Sequence, residues 1–273
     1  MIVYPHSKIN LGLHILNKRE DGFHDIETLF YPLKLSDALE IIPASDGKTE
    51  FSASGIPIPG NAEGNLCLQA WELLHKHHNI PRVKIHLHKV IPIGAGLGGG
   101  SSDAAFTLKL INDLFEADIP GELLHKYAKQ LGSDCSFFLN GQPALASGKG
   151  EILKPFDVSL KGYYLILLSP LIHVSTAEAY AEIKPSMPET RLENVLTLPV
   201  KKWKGLLVND FEMSVFMKHP EIKEIKTQLY GSGALYACMS GSGASVFGIF
   251  AQKPAGDVND LFKDYLVWEE EIS

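Results

Sequence analysis

From Ser7 to Leu16 apolar and polar positions partly alternate, with Ile9, Leu11, Leu13 and Ile15 separated by Lys8, Asn10 and His14. The period of two predicts a half-buried strand that carries Lys8 and Asn10 on one face. Arg19-Glu-Asp-Gly22 is a turn signal, and strands are expected from Thr28 to Leu33 and from Ala38 to Ile42. Asn65 to His78 then changes period: Leu66, Ala70, Leu73 and Leu74 fall at helical spacing. Val83, Ile85 and Leu87 return to alternation against Lys84, His86 and His88. Ala104, Ala105, Leu108, Ile111, Leu114 and Phe115 mark a helix face, and Glu122 to Gln130 a further helix closed by a glycine cap at Gly132. Strands are expected over 142–147 and Tyr163–Leu168, and helices over Thr176–Ile183 and Glu221–Tyr230. Pro185 and Pro188 stop the first of these helices. Leu235–Met239 and Ala244–Phe250 pair across Ser240-Gly-Ser-Gly243. Strands and helices mix without regular alternation, which reads as α+β. Gly148-Lys-Gly150 breaks the pattern, so two domains are expected, residues 1–150 and 151–273.

One segment departs from packing logic. Five of the seven residues from Gly94 to Gly100 are glycine, within Pro92-Ile-Gly-Ala-Gly-Leu-Gly-Gly-Gly-Ser-Ser102. Glycine permits positive φ and lets backbone N–H groups approach a ligand with no Cβ between. The run opens a helix, whose free N–H groups and positive dipole end favour an anion. Ser101 and Ser102 add hydroxyl donors or cap the helix. A phosphate cradle is the physical reading, and a flexible turn is the plainer one. Gly94-Ala-Gly96-Leu-Gly-Gly99 formally matches the dinucleotide fingerprint, but that motif needs a following parallel strand and a helix follows here. Gly100 stands where the Walker motif requires lysine.

Composition narrows the classes. The 273 residues are 45% hydrophobic and 21% charged, values of an ordinary globular chain. The 25 basic residues against 32 acidic ones give a formal charge of −7, which argues against nucleic acid as a partner. Cys67, Cys135 and Cys238 form no Cys-x-x-Cys pair and read as reduced thiols. No signal-peptide pattern and no membrane-length apolar run is present, so a cytoplasmic location and no membrane partner are expected. His86 and His88, two apart on a strand, read as a polar face and not as metal ligands.

The segment from Pro92 to Ala105 resembles the ATP-binding motif of the GHMP kinase superfamily. Within it, further segments resemble the branch acting on 4-diphosphocytidyl-2-C-methyl-D-erythritol. They are Ser7-Lys-Ile-Asn-Leu-Gly-Leu, Arg19-Glu-Asp-Gly-Phe-His-Asp-Ile-Glu-Thr-Leu-Phe30, Leu131-Gly-Ser-Asp-Cys-Ser-Phe137, Ser147-Gly-Lys-Gly-Glu151, Val174-Ser-Thr-Ala-Glu-Ala-Tyr180 and Ser240-Gly-Ser-Gly243. The resemblance is collinear and reaches almost to residue 250. It implies a two-domain GHMP kinase fold, with a ribosomal protein S5 domain 2-like N-terminal domain and a ferredoxin-like α/β C-terminal domain. It implies transfer of the ATP γ-phosphate to the 2-hydroxyl of that substrate, a step of the non-mevalonate isoprenoid pathway, by a monomer or homodimer.

The same resemblance gives residues their expected roles. Asp134 is the general base and Lys8 its cationic partner; their plainer readings are a helix N-cap and a solvated strand lysine. Phe23 and Tyr180 stack the cytosine and His24 reads its edge. Phe23 stands where the family commonly has tyrosine. Asn10 supports the methylerythritol end, Thr176 shapes the pocket unless it is a helix N-cap, and Gly241 approaches the substrate phosphates unless its loop is only a hairpin turn. Asn65 and Lys89 are assigned to adenine or ribose and to phosphate, with surface positions as the plainer reading. The loop itself, through Pro92, Gly94, Gly96, Leu97, Gly98, Gly99, Gly100, Ser101 and Ser102, holds the triphosphate. Mg²⁺ is expected with ATP; no ligand set is evident, and Asp103 with the loop serines is the weak candidate. Other readings remain: a homoserine or mevalonate kinase-like enzyme, a non-catalytic nucleotide binder, or a dinucleotide-dependent oxidoreductase.

Overall fold

The computed structural model describes residues 1–60, 64–170, 172–255 and 262–273. The chain runs through β1 (Ile2–Val3), β2 (His6–Lys18), β3 (His24–Ser36), β4 (Ala38–Pro43), β5 (Glu50–Gly55), α1 (Leu66–His78), β6 (Val83–Lys89), α2 (Gly99–Leu114), α3 (Gly121–Leu131) and α4 (Cys135–Asn140). It continues through β7 (Ala144–Ser147), β8 (Ile152–Pro155), β9 (Tyr164–Ser169), α5 (Thr176–Tyr180), α6 (Leu192–Leu196), α7 (Phe211–Lys218), α8 (Pro220–Gly231), β10 (Tyr236–Met239), β11 (Val246–Phe250) and β12 (Leu266–Glu271). The fold is α+β.

Two compact units emerge, and neither is one stretch of sequence. The first comprises Met1–Lys8, Pro32–Ile93 and Gly98–Gln142; the second comprises Ile9–Tyr31, Gly94–Leu97 and Pro143–Ser273. The expected single cut near residue 150 therefore differs from the structure. The reason is strand pairing: Thr28, Leu29 and Phe30 of β3 lie opposite Ala146, Leu145 and Ala144 of β7, which ties an early hairpin to the later half of the chain.

In the first unit, β1, β4, β6 and β5 form a sheet in that order. β4 runs antiparallel to β6, whereas β5 runs parallel to it with α1 as the crossover. Leu39, Ile41, Val83, Ile85 and Leu87 are buried in a core shared with α1, α2 and α3. The alternation seen in the sequence is thus the two faces of this sheet. On the outer face Ser52 Oγ bonds His86 Nδ1 at 2.8 Å and Ser54 Oγ bonds His88 Nδ1 at 2.9 Å. α1 buries Cys67, Ala70, Trp71 and Leu74, one stripe at helical spacing. Gly132 ends α3 with φ 172°, extended and not left-handed, so the expected glycine cap is replaced by a bond from its N–H to Ala128 O at 3.1 Å.

In the second unit, β10, β11, β9 and β12 form an antiparallel sheet in that order. Ile166, Leu168, Ala237, Met239 and Val246 pack with Ile222, Ile225 and Leu229 of α8 and with Phe211 and Val215 of α7. Leu13 and Ile15 of β2 join the same core. A third sheet has the order β2, β3, β7, β8. The helix expected over 176–183 is shorter, Thr176–Tyr180.

Candidate functional site

The glycine loop is cradled differently along its length. In the second unit, Gly94 has φ +67° and Gly96 has φ +77°, conformations that favour glycine. A Cβ on Gly96 would overlap the Ser240 carbonyl, and one on Gly94 would come within 3.0 Å of the His173 ring. In the first unit, Gly98 (φ +71°) is the N-cap position of α2, and a Cβ there would sit 2.7 Å from Phe138. A Cβ on Gly99 would sit 2.9 Å from Lys89 Nζ. Gly100 differs: it is exposed, its φ is not positive, and a Cβ would meet only Leu66 at 3.7 Å. Folding does not require glycine at position 100. Leu97 is buried and Pro92 half-buried, so both would offer backbone more than side chain. The helix has no side-chain cap, which leaves its first N–H groups for an anion. Ser102 does not cap it and is fully buried with its hydroxyl unpartnered, because the first turn carries it inward beside Asp103. Ser101 is half-buried.

Beside Gly98, Lys8 lies 3% exposed, and its Nζ stands 3.5 Å from Asp134 Oδ2. Burial pushes the lysine pKa down, and the Asp134 charge opposes that. Lys8 is therefore no solvated strand lysine. Asp134 occupies the N-cap position of α4 but makes no capping bond. Its side chain keeps 30% exposure and stands against Lys8, which leaves a solvent-facing carboxylate held by a buried cation.

Lys89 corrects the sequence reading. It is not a surface residue. Its Nζ donates to Asp37 Oδ2 at 2.5 Å and to Asp103 Oδ2 at 2.7 Å, with all three side chains under 5% exposed. Asp37 Oδ1 also accepts from Val90 N–H at 2.6 Å and Ile91 N–H at 2.8 Å, which anchors the approach to the loop. Burial opposes the Lys89 charge, yet the two carboxylates hold its pKa above the ordinary lysine value. Burial pushes the Asp103 carboxyl up to about 7; Lys89 lowers it and Asp37 raises it. A Mg²⁺ ion keeps several waters and needs accessible oxygens. Asp103 and Ser102, both buried, do not fit it, and among the described residues no group of three or more His, Cys, Asp or Glu could hold a metal.

Asn65 caps α1 through its Oδ1, which accepts from Cys67 N–H at 2.8 Å. It also lines an open groove of about 380 Å³ with Phe51, Ala53, Ile56, Pro57 and Ile58, all in the first unit.

In the second unit, the turn 19–23 is fixed by Arg19, which donates to Asp21 at 3.1 Å and to Asp25 at 2.8 Å. Phe23 stands 55% exposed at its end, and Lys149 Nζ lies 4.4 Å from its ring centroid. The ring facing Tyr180 is His24, stacked at 4.6 Å and 18°. Phe211 meets Tyr180 edge-on at 4.7 Å. Burial and Lys18 lower the His24 pKa, so the imidazole is neutral near pH 7, with one donor and one acceptor nitrogen. Thr176 is exposed and is the first helical residue; the N-cap is Ser175, whose Oγ accepts from Glu178 N–H at 3.1 Å.

Asn10 is buried and its Nδ2 donates to Thr28 Oγ1 at 2.9 Å, while Thr28 donates to Gly12 O at 2.5 Å. Ser240 Oγ accepts from Asn10 N–H at 3.2 Å and donates to Gly96 O at 2.9 Å. Gly241 has φ +55° and lies against Asn10 and Gly96. Thr28, Ser240 and Lys149 lie in segments the sequence singles out, but their contacts with Asn10, Gly96 and Phe23 join residues far apart along the chain and carry no local signal. The three cysteines are free and buried, and burial pushes the Cys135 thiol up to about 12. Among the described residues no helix is long and apolar enough to cross a membrane.

Residues 65–142 match the GHMP kinases N terminal domain and residues 201–262 the GHMP kinases C terminal domain, so fold and loop together define a GHMP kinase. The chain is 50% identical over its full length to the 4-diphosphocytidyl-2-C-methyl-D-erythritol kinase of Parabacteroides distasonis, with 100% of both covered. It is 51% identical to the enzyme of that name from Cytophaga hutchinsonii, over 93% of this chain and 94% of that one. A crystal structure of 4-(cytidine 5'-diphospho)-2C-methyl-D-erythritol kinase superposes with TM-score 0.81 at 31% identity, covering 98% of each chain. The chain belongs to the 4-diphosphocytidyl-2-C-methyl-D-erythritol kinase family. The Methanococcus jannaschii mevalonate kinase, at TM-score 0.69 and 14% identity with 100% of this chain and 98% of that one covered, shares the fold.

Proposed function

We propose that the chain transfers the γ-phosphate of ATP to the 2-hydroxyl of 4-diphosphocytidyl-2-C-methyl-D-erythritol. The single observation that carries the chemistry is the partly exposed Asp134 carboxylate set 3.5 Å from a buried Lys8 ammonium. A cation there lowers the pKa of an incoming hydroxyl. Asp134 takes the hydroxyl proton, the oxygen forms a bond to the γ-phosphorus, and the bond to the β-phosphate oxygen breaks to release ADP. The N–H groups opening α2 hold the triphosphate, with Gly98, Gly99 and Gly100 leaving them bare. The groove at Asn65 suits a nucleoside, and Lys89 supports the loop from beneath without touching phosphate. His24, with one donor and one acceptor, suits the edge of cytosine, and Phe23 and Tyr180 suit its faces. For that sandwich His24 must leave its own stack on Tyr180. Asn10, Thr176 and Gly241 serve the rest of the acceptor. ATP brings Mg²⁺, which supplies charge neutralisation on its phosphates; this chain's residues supply the steps above. We read the enzyme as cytoplasmic and as monomer or homodimer.

Asp134→Asn is the test. It should leave ATP binding intact and lower kcat by at least about 100-fold, the scale of a general base. Turnover within a few-fold of the parent would remove Asp134 from that role. A parallel assay with homoserine and mevalonate should give no ADP, because neither has a base to stack.

A further inference from the structure

Residues 209–212 read Asn-Asp-Phe-Glu and were silent in the sequence, yet together they reach β2, α5, β10 and the Ser240–Gly243 hairpin of the second unit. The segment docks on β2: Leu13 N–H donates to Val208 O at 2.8 Å, and Asp210 N–H donates to Leu13 O at 2.9 Å. Asp210 Oδ2 accepts from Ile15 N–H at 2.8 Å. Phe211 presents its edge to Tyr180. Glu212 Oε1 accepts from Met239 N–H at 2.9 Å, and its Oε2 pairs with Lys226 at 2.5 Å.

Asn209 is the centre of this arrangement. It is 3% exposed and its amide is fully used. Nδ2 donates to Met239 O and to Gly241 O, both at 2.8 Å, and Oδ1 accepts from Phe211 N–H at 3.0 Å. The geometry has a consequence for the hairpin. In a trans peptide the carbonyl and the following N–H point in opposite directions. Holding the Gly241 carbonyl on Asn209 therefore turns the Ser242 N–H away from the Asn209 amide. A fixed N–H between two glycines, on the half-buried Ser242, is a donor for a phosphate oxygen.

We propose that Asn209 is a positioning residue for the acceptor, acting through the Gly241–Ser242 peptide, whose N–H it aims at a phosphate of the diphosphate group. This rests on the reading that the Ser240–Gly243 hairpin meets that substrate. No direct contact of Asn209 with the substrate is involved. Its removal should therefore spare the chemistry and weaken acceptor binding.

The experiment titrates 4-diphosphocytidyl-2-C-methyl-D-erythritol into 15N-labelled full-length protein and follows the Ser242 amide, beside steady-state kinetics of Asn209→Ala. In the parent, the Ser242 resonance should move to lower field as the acceptor saturates. In Asn209→Ala that movement should be lost, with the acceptor KM raised about 10-fold, the ATP KM within twofold and kcat little changed. A parent Ser242 amide that stays still while the Phe23 and His24 amides move overturns the proposal. So does a folded Asn209→Ala with an unchanged acceptor KM. If Asn209→Ala does not fold, the parent titration alone decides. If the acceptor moves no resonance and releases no ADP from the parent, the substrate reading itself falls and takes the proposal with it.

Discussion

Gly100→Ala separates binding from folding more cleanly than any other change in the loop. The added methyl group would meet Leu66 Cδ1 at 3.7 Å, an ordinary van der Waals distance, in a backbone with no positive φ. Position 100 is the second residue of α2 and is exposed. Alanine should stabilise the helix by about 0.5–1 kcal/mol through reduced chain entropy. For a chain of this size that is a Tm rise of about 1–4 °C. The neighbouring positions cannot make this exchange. At Gly98 a Cβ would stand 2.7 Å from Phe138 in a residue with φ +71°, so alanine there should lower Tm.

The functional expectation for Gly100→Ala has the opposite sign. If a phosphate oxygen lies against the N–H groups of this turn, a methyl group on residue 100 displaces it. Loss of one hydrogen bond to a charged group costs about 1.5–3 kcal/mol, or about 10- to 100-fold in the KM for ATP. The assay is coupled ADP release at saturating acceptor, beside thermal unfolding of the same preparation. A variant that is as stable as the parent and keeps its KM for ATP would refute the argument that glycine at 100 exists for a ligand.

Other perturbations test the remaining parts. Tyr180→Leu should raise the acceptor KM by about 10-fold or more with the ATP KM little changed, since aromatic stacking on a base is worth about 1–3 kcal/mol; equal effects on both would contradict the stacking role. The Asp103 carboxyl has its pKa raised to about 7 by burial, above its unfolded value of 3.8, so its contribution favours folding at low pH and is lost as pH rises from about 4 to about 7. Unfolding of Asp103→Asn should show a flatter pH dependence across that window; an unchanged profile would contradict the assignment. Raising sodium chloride from 50 to 300 mM at fixed free Mg²⁺ should leave the KM for ATP flat or slightly lower, because salt screens the repulsion of a chain of charge −7; a steep rise would mean that exposed lysines hold the phosphates.

What the sequence made legible was local. The loop, the Lys8 strand, α1 and the β10–β11 hairpin are each written in contiguous residues, as period or glycine density. What it hid was carried by partners far apart. Lys89 looks like a surface cation until Asp37, 52 residues earlier, closes over it. Asn209 means nothing without Gly241, 32 residues on. β5 escapes because Glu-Phe-Ser-Ala-Ser-Gly is a mostly exposed strand with one aromatic residue, held by its parallel pairing to β6. His24 on Tyr180 is a contact across 156 positions between the start of a strand and a short helix, and no periodicity announces it.

The charge ledger near the loop explains how an acidic chain can hold polyanions. Both lysines beside the first turn of α2 are already answered: Lys8 by Asp134, and Lys89 by Asp37 and Asp103. The second cluster carries one positive charge against two carboxylates, so it is neutral only when Asp103 holds a proton. Neither lysine therefore supplies a net cation to a bound triphosphate. On the proposed function, the attraction would come from the N–H groups and dipole of a helix of 16 residues, which act over about one turn. Such a source is short-ranged, and it needs the backbone bare and fixed. The glycines make it bare. The buried ion cluster makes it fixed, since Asp37 binds the Val90 and Ile91 amides that lead into the loop, while Lys89 sits under Gly99. On the proposed function, Lys89 contributes as a support, holding in place the backbone that would bind the phosphates.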